Sequence, residues 1–232
     1  MRIWDIHPGY LNRSSLLGEH RELHGILSIV RNNKKGYARH PETLRWVGHG
    51  WALSQRHKLL VAEMNLRGYV DKSPVRLRSN RGIWPDNEID PPGRQLNILK
   101  EKYQSREPGR IPLPVNAQQY WAQHKYSVMS RDLGAYNGIG QRLASSSGQK
   151  ELHELAAEIL LLMKTPPNPR LLPNALSHMW GYVSRYAAIS GKELDSWSLP
   201  RLLEKIQILT RENNVTYLAE STALSELAAW NL

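Results

Sequence analysis

Apolar residues recur every three or four positions over most of this chain, which is the spacing of amphipathic helices. Residues 11–31 show this pattern first, and Ser14 or Ser15 is the predicted N-cap of that helix. Glu19 and Glu22 lie three residues apart on its polar side. Because positions three apart are neighbours on a helix surface, several groups can converge on one groove there.

Glycine and proline divide the rest of the first half. A second helix is predicted from Pro41 to about Gly68, with a break at Gly48, because the two glycines of GHGW weaken a helix by roughly 1 kcal/mol each. Residues 71–92 are rich in Pro, Gly, Asn, Asp and Arg, which predicts an irregular surface segment. A short helix is then predicted at 95–104.

The second half repeats the helical spacing, and no stretch of the sequence alternates strongly enough to demand a strand. A proline-rich linker, REPGRIPLP at 106–114, divides the chain into predicted domains of residues 1–114 and 115–232. Pro166 and Pro173 are predicted helix caps or stops, and SSSGQ at 145–149 is a predicted turn. The expected fold is all-α, with a compact helical domain followed by a bundle of four or five helices.

The composition narrows the partner and the chemistry. The formal net charge of +10 favours a polyanionic partner, because Lys and Arg gain affinity by releasing counterions from phosphates. No cysteine is present, which excludes disulfides and thiolate catalysis. The N-terminus lacks the apolar core of a signal peptide, and the longest apolar run, Ile159–Met163, is too short to cross a bilayer. We therefore expect a soluble, cytoplasmic protein with no membrane partner.

Four separated motifs of the first half carry a family resemblance. In chain order they are LLGEHRELHGILSIVR, GYARHP, VGHGWALSQRHKLLVAEMNLRGY and PPGRQLNILKEKYQSREP. Together they resemble the pyrimidine-dimer DNA glycosylase family, whose phage member is called endonuclease V. The resemblance covers about residues 1–112. It implies a compact helical domain in which the N-terminal segment threads between helices.

The resemblance also implies a catalytic pair. The family's nucleophile is the α-amine of the first residue of the mature protein, and it works with a Glu in the helix that follows. In the phage-type pattern Arg and Ile follow the terminal residue, and here Arg2 and Ile3 follow Met1, with Glu22 at the matching distance. Arg2 is expected to discourage removal of Met1, whose formyl group must be removed.

The chemistry implied is reasonable for an amine of this kind. An α-amine has an ordinary pKa of about 7.7 to 8.0, against about 10.4 for lysine, so a useful fraction is neutral near pH 7. It can attack the anomeric carbon of deoxyribose, expel the base and leave an imine. Glu22 is expected to stabilise the cationic sugar and relay protons, and the imine allows β-elimination of the 3′ phosphate. One site would then be both DNA glycosylase and AP lyase, with no metal or cofactor.

Other polar residues are candidates for binding the substrate. Arg2 and Arg21 are the expected phosphate clamps, and the resemblance makes His49 a pocket residue. His20 is near the predicted site but has no assigned role. The alternatives are a surface salt bridge for Glu22 and a core position for His49. In the family a nucleotide is flipped out of the duplex, which costs a few kcal/mol.

The sequence departs from the phage pattern in three places. Residues 4–10 are not the phage-type continuation, and His24 and Gly25 stand where the phage pattern has a phosphate-binding Arg. The aromatic and basic C-terminal tail of the phage enzyme has no clear equivalent. The resemblance therefore transfers the chemistry better than the substrate, and the pyrimidine dimer is the default lesion.

The second half resembles another family through YWAQHKYSVMSRD, LGAYNGIGQRLA and PNALSHMWGYVSRYA. It is a helical domain of unknown function that also occurs fused behind thiouracil-desulfidase domains, where it is thought to help engage tRNA. Its polar motif members are accessory nucleic-acid-binding candidates or ties between helices: His124, Lys125, Arg131, His178, Tyr182 and Arg185. His124 and His178 have no third ligand at diagnostic spacing, so no metal site is predicted.

Three functions therefore compete. The first is a glycosylase and lyase on damaged or modified DNA. The second is the same imine chemistry on a modified base in RNA or tRNA. The third is a non-catalytic nucleic-acid-binding module, and a monomer is the default state for all three.

Overall fold

The computed structural model describes residues 1–144, 149–189 and 191–230. Over these residues the chain forms twelve α-helices, three short 3-10 helices and no strand, which confirms the all-α prediction. The α-helices are α1 (Arg13–Asn32), α2 (Pro41–Trp46), α3 (Gly50–Leu66), α4 (Pro92–Lys102), α5 (Ala117–Met129), α6 (Leu133–Ala144), α7 (Gln149–Met163), α8 (Leu172–Val183), α9 (Gly191–Asp195), α10 (Leu199–Glu212), α11 (Thr216–Ala219) and α12 (Ala223–Glu226). The 3-10 helices are Pro8–Tyr10, Ser184–Tyr186 and Leu227–Ala229.

Two further sequence predictions concern a turn and a membrane span. The SSSGQ turn falls mostly on residues 145–148, which are outside the described residues. Among the described helices, none combines the length and the apolar character that a membrane span requires.

Helix α1 begins before the residues that were predicted as its N-cap. The N-cap of α1 is Asn12, whose side-chain oxygen accepts hydrogen bonds from the Ser15 amide at 2.9 Å and the Ser14 hydroxyl at 3.0 Å. The prediction of Ser14 or Ser15 as cap is therefore wrong, because both residues already belong to the first helical turn. The Tyr103 hydroxyl accepts the Asn12 amide at 3.1 Å, so a tertiary contact fixes this start.

The predicted break in the second helix is confirmed. The helix ends at Trp46 and resumes at Gly50, and Gly48 between them has a φ of +82°. This left-handed conformation is one that glycine adopts without a Cβ penalty. Gly68, the predicted stop, also has a positive φ and follows α3 by two residues.

In the second half, the described residues form five helices of twelve residues or more and three short ones. The five are α5, α6, α7, α8 and α10, in agreement with a bundle of four or five helices. Pro166 follows the end of α7, as predicted. Pro173 lies in the first turn of α8, where its fixed φ suits a helix start and no amide donor is needed, so this proline marks the beginning of a helix rather than an end.

The apolar residues form two cores that do not divide at the predicted boundary. The first core joins α1, α3 and α4 to α5, α6 and α7, through residues such as Leu16, Leu53, Leu99, Ile139 and Ile159. The second core lies among α8, α10 and the C-terminal short helices. Three helices of the second half thus pack with the first half, and the 114/115 domain boundary stays a prediction.

Candidate active site

The N-terminal segment runs in extended form through the first core. Ile3, Trp4 and Ile6 are buried, which anchors the segment by its side chains. Buried polar side chains satisfy its main chain, because no neighbouring strand is present among the described residues to do so. The Asp5 amide donates to Gln95 Oε1 at 2.8 Å, and the Ile6 carbonyl accepts from Arg56 Nη1 at 2.9 Å.

Helix α1 provides two further contacts to this segment, one from each of its paired glutamates. Glu19 Oε1 accepts the Trp4 amide at 3.3 Å, and Glu22 Oε2 accepts the amide of Arg2. Glu19 and Glu22 are one helical turn apart, and the two amides are two residues apart, so the segment follows one side of α1. The Glu22 carboxylate therefore lies beside the terminal residue, Met1, whose half-buried side chain packs on the first core.

Glu19 is a structural partner of this site that the sequence did not single out. It is 2% exposed and receives both arms of Arg56, with Nε–Oε1 at 2.7 Å and Nη2–Oε2 at 3.0 Å. Burial raises the pKa of Glu19 to about 7, although the Arg56 charge acts in the opposite direction. The only signal in the sequence was the spacing of Glu19 from Glu22.

The side chain of Arg2 is held by the irregular segment before α4. Its Nη2 lies 2.7 Å from Asp90 Oδ2, and its guanidinium stacks over the Trp4 ring at 4.2 Å. Gln95 fixes this arrangement, because its Nε2 donates to the Asp90 carbonyl and to Asp5 Oδ2, both at 2.8 Å. A phosphate contact by Arg2 stays a prediction. The phosphate would have to compete with Asp90 for the Arg2 guanidinium.

The other substrate-binding candidates lie in different surroundings. Arg21 is exposed beside Glu22 in the sequence. His49 is half-buried just before α3, with Nδ1 3.4 Å from the Ile83 carbonyl, and it lines a cleft of about 410 Å³. His20 points away from Glu22, because residues two apart on a helix differ by roughly 200°. It packs instead against His24 and His57.

Two of the six accessory candidates tie helices together. His124 is buried in α5, where its Nδ1 lies 2.9 Å from the Tyr120 carbonyl of the same helix and 3.4 Å from the Tyr10 hydroxyl of the first 3-10 helix, and burial lowers its pKa to about 4. Arg131 is also buried, where it pairs with Glu226 and donates to the Thr165 carbonyl at 2.8 Å. Contacts inside the protein therefore explain why both of these polar side chains are buried.

The other four accessory candidates are at or near the surface of the second half. Tyr182 stacks on Tyr217 with ring centroids 4.9 Å apart, and Lys125 Nζ lies 5.0 Å from the same Tyr217 ring. His178 and Arg185 are exposed, and they share one side of the chain with Tyr182 by helical spacing. Binding of nucleic acid by this surface stays a prediction.

Comparison with protein-family models gives two matches. Residues 1–77 match the family described as pyrimidine dimer DNA glycosylase, and residues 125–227 match a protein family of unknown function, DUF1722. The chain therefore has one segment that matches each of these two family models, in the order expected from the sequence. A search of curated proteins and a search of solved structures each found no match.

The pyrimidine dimer DNA glycosylase segment contains Met1, Glu22 and all of α1, α2 and α3. The match supports assignment as a DNA glycosylase. Asp90 and Gln95 lie outside the matched residues, although both help to hold the N-terminal segment. Residues beyond the matched segment therefore help to hold the N-terminal part of the candidate site.

Proposed function

We propose that this protein is a DNA glycosylase with AP-lyase activity, in which the α-amine of Met1 is the nucleophile and Glu22 is the acid and base. The observation that carries the proposal is the hydrogen bond from the Arg2 amide to the Glu22 carboxylate. It leaves a carboxylate next to the chain terminus, in a segment whose family match is to glycosylases. The proposal requires that the amine of Met1 is free in the mature protein.

The first half of the reaction removes the base. The neutral Met1 nitrogen attacks C1′ of the sugar, the bond from C1′ to the base breaks, and the base departs with its electron pair. Glu22 takes a proton from the attacking nitrogen and passes it to the departing base. The C1′–O4′ bond then opens, O4′ takes a proton from solvent, and a protonated imine joins Met1 to C1′.

The second half of the reaction cleaves the strand. The positive imine acidifies the C2′ proton, which Glu22 removes. The electron pair forms the C2′–C3′ double bond, and the 3′ phosphate leaves. Glu22 then releases this proton to solvent, and water hydrolyses the imine to an aldehyde and the free amine of Met1. In its ionised form, before and after this proton transfer, Glu22 stabilises the cationic imine.

The packing of the N-terminal segment supports this role for Met1. A terminal amine is an effective catalyst only if it is held in position, since a displacement of about 1 Å can cost on the order of a hundredfold in rate. Trp4 and Ile6 are buried. Gln95 accepts the Asp5 amide, and Arg56 donates to the Ile6 carbonyl. The segment is therefore preorganised from the second residue onward.

The charge and the surface of the protein support a nucleic-acid substrate. The net charge is +10, and exposed Arg21 lies next to Glu22 in the chain. A pyrimidine dimer in DNA is the default substrate from the family match. We expect the target nucleotide to leave the stack, because its C1′ must reach the amine of Met1, a half-buried residue that packs on the first core.

Borohydride trapping tests the nucleophile. The full chain is incubated with a duplex that contains one abasic site, and sodium borohydride reduces any imine to a stable adduct. We expect the adduct to map to Met1 by peptide mass spectrometry, after intact mass has verified the terminus. A Gly-Ser extension before Met1 should abolish the adduct, whereas the same extension after Leu232 should leave it unchanged. An adduct on Lys34, Lys35 or Lys58 would contradict the assignment.

A substrate panel separates the competing functions. Ultraviolet-irradiated DNA, alkylated DNA and modified tRNA are assayed under identical conditions for abasic sites and strand breaks, because a base in a cyclobutane dimer stays attached to its neighbour after its glycosidic bond breaks. Cleavage of irradiated DNA supports the default substrate, and cleavage of tRNA alone would replace it with the RNA alternative. Tight binding without cleavage or an imine adduct would identify a non-catalytic binding module.

A further inference from the structure

Three histidines and an aspartate meet on the side of α1 that faces away from Glu22. His20 and His24 are one helical turn apart on α1, His57 is on α3, and Asp71 is in the segment after α3. We name these four residues the His cluster. Their potential ligand atoms, one from each residue, all lie within 4.8 Å of one another.

The contacts of the His cluster are incomplete for buried polar groups. His20 Nε2 lies 3.2 Å from Asp71 Oδ1, and His57 Nε2 lies 3.8 Å from Asp71 Oδ2. The Nε2 atoms of His24 and His57 are buried and have no hydrogen-bond partner. His57 as a whole is 3% exposed. A buried polar atom without a partner costs roughly 1–3 kcal/mol, so two in one cluster require a physical reason.

We propose that the His cluster is a four-ligand zinc site made by His20, His24, His57 and Asp71. Three imidazole nitrogens and one carboxylate oxygen are a donor set that Zn²⁺ binds tetrahedrally. Tetrahedral ligands at about 2.0–2.1 Å from the metal are roughly 3.3 Å apart, so the four atoms need only small side-chain movements. The metal would give the buried Nε2 atoms of His24 and His57 the partner that they lack.

Contacts around the His cluster and its burial favour metal binding. The Ser73 amide donates to Asp71 Oδ1 at 3.0 Å, which orients the carboxylate. The side chains of His20 and Asp71 are 15% and 8% exposed, so these two ligands are shielded from most of the solvent.

The position of the site gives the metal a structural role. A metal bound there would join α1, α3 and the segment after α3. Among the described residues, this is the one group of three or more His, Asp or Glu side chains close enough to share a metal ion. His57 and Asp71 also line a cleft of about 480 Å³, together with Arg76 and Arg211. A bound metal would therefore fix one wall of this cleft. The site is separate from the proposed chemistry, because it lies on the other side of α1 from Glu22.

The test uses the full chain without a polyhistidine tag. The purified protein is assayed for metal content by mass spectrometry, stripped with a chelator, and titrated with Zn²⁺ and with Co²⁺. We expect one equivalent of zinc per chain, a rise in melting temperature on adding Zn²⁺ to the stripped protein, and the intense visible absorption of tetrahedral Co²⁺. Absence of a tetrahedral Co²⁺ spectrum in the folded wild type would overturn the proposal.

Variants assign the metal to these residues. His20→Gln and Asp71→Asn alter two ligands that are partly exposed, so both variants should remain folded by circular dichroism. Each should lose at least about tenfold in Zn²⁺ affinity. His153→Gln, on exposed α7 surface, is the matched control and should bind like the wild type. Equal Zn²⁺ affinity in all three variants would show that the metal binds elsewhere and would refute the site.

Discussion

At the scale of single residues, Glu19 and Glu22 show how one helix gives two carboxylates different surroundings. Glu19 is buried and receives the Arg56 guanidinium, whereas Glu22 is half-buried and receives the Arg2 amide next to the chain terminus. An ion pair closed in the interior has no room for a sugar. Glu22 is therefore the carboxylate that is available for the proposed reaction.

We expect Glu22→Gln to reduce strand cleavage and imine trapping on abasic DNA by at least about a hundredfold, because it removes a proton acceptor and a negative charge. DNA affinity should stay within about tenfold of the wild type, as measured by fluorescence anisotropy. Glu101→Gln makes the same chemical change on the exposed surface of α4 and should leave both activities unchanged. Wild-type cleavage by Glu22→Gln would remove Glu22 from the mechanism.

At the scale of elements, the proline-rich linker before α5 is a packed part of the first core rather than a free spacer. The Ile111 amide donates to the Gly9 carbonyl at 2.9 Å, and Ile111 is fully buried. Gly109 approaches the backbone so closely that a Cβ there would lie 2.5 Å from the Gly9 oxygen and from Tyr10 main-chain atoms. The linker thus holds the 3-10 helix that follows the N-terminal segment.

We expect Gly109→Ala to destabilise the protein by about 1–3 kcal/mol, because the new methyl group must displace backbone atoms. Urea unfolding followed by circular dichroism measures this change in the free energy of unfolding. Gly138→Ala is the control, since a Cβ on this exposed glycine of α6 meets nothing within 4 Å. It should stabilise the helix by up to about 1 kcal/mol. Equal stability of the two variants would contradict close packing at Gly109.

At the scale of the whole molecule, Glu63 connects the two halves. Its carboxylate is fully buried and lies 2.7 Å from Arg110 Nη2 and from Arg67 Nε. It also accepts the Ser225 hydroxyl at 2.6 Å, which brings α12 onto α3. Burial alone would raise the pKa of Glu63, but Arg110 and Arg67 outweigh burial and hold it well below its usual range.

We expect the free energy of unfolding to fall as the pH drops below about 5, because the unfolded chain takes up protons that folded Glu63 does not. The contribution is fully present above the unfolded pKa of about 4.3 and is lost as the pH falls towards the lower folded value. Glu63→Gln should be about 3–5 kcal/mol less stable at pH 7 and should show a flatter acid dependence. Urea unfolding between pH 3 and 7 measures both quantities, and a slope equal to that of Glu101→Gln would contradict this role.

The sequence by itself determined the helices and the candidate catalytic pair. Apolar spacing, glycines and prolines act over a few residues, so they predicted α1, the break at Gly48 and the all-α fold. The motifs around Glu22 carried the family resemblance, and a family match over residues 1–77 agrees with it. Local signals erred where a tertiary contact decided the outcome, as at the Asn12 cap, which Tyr103 fixes.

Only the tertiary structure decided which distant residues meet. The ion pair of Arg2 with Asp90 joins positions 88 residues apart, and the His cluster joins α1 to Asp71 across two other helices. Packing also placed α5, α6 and α7 of the second half on the first core. Such contacts depend on how apolar faces and buried charges of separate elements fit together, and spacing along one segment does not encode that fit.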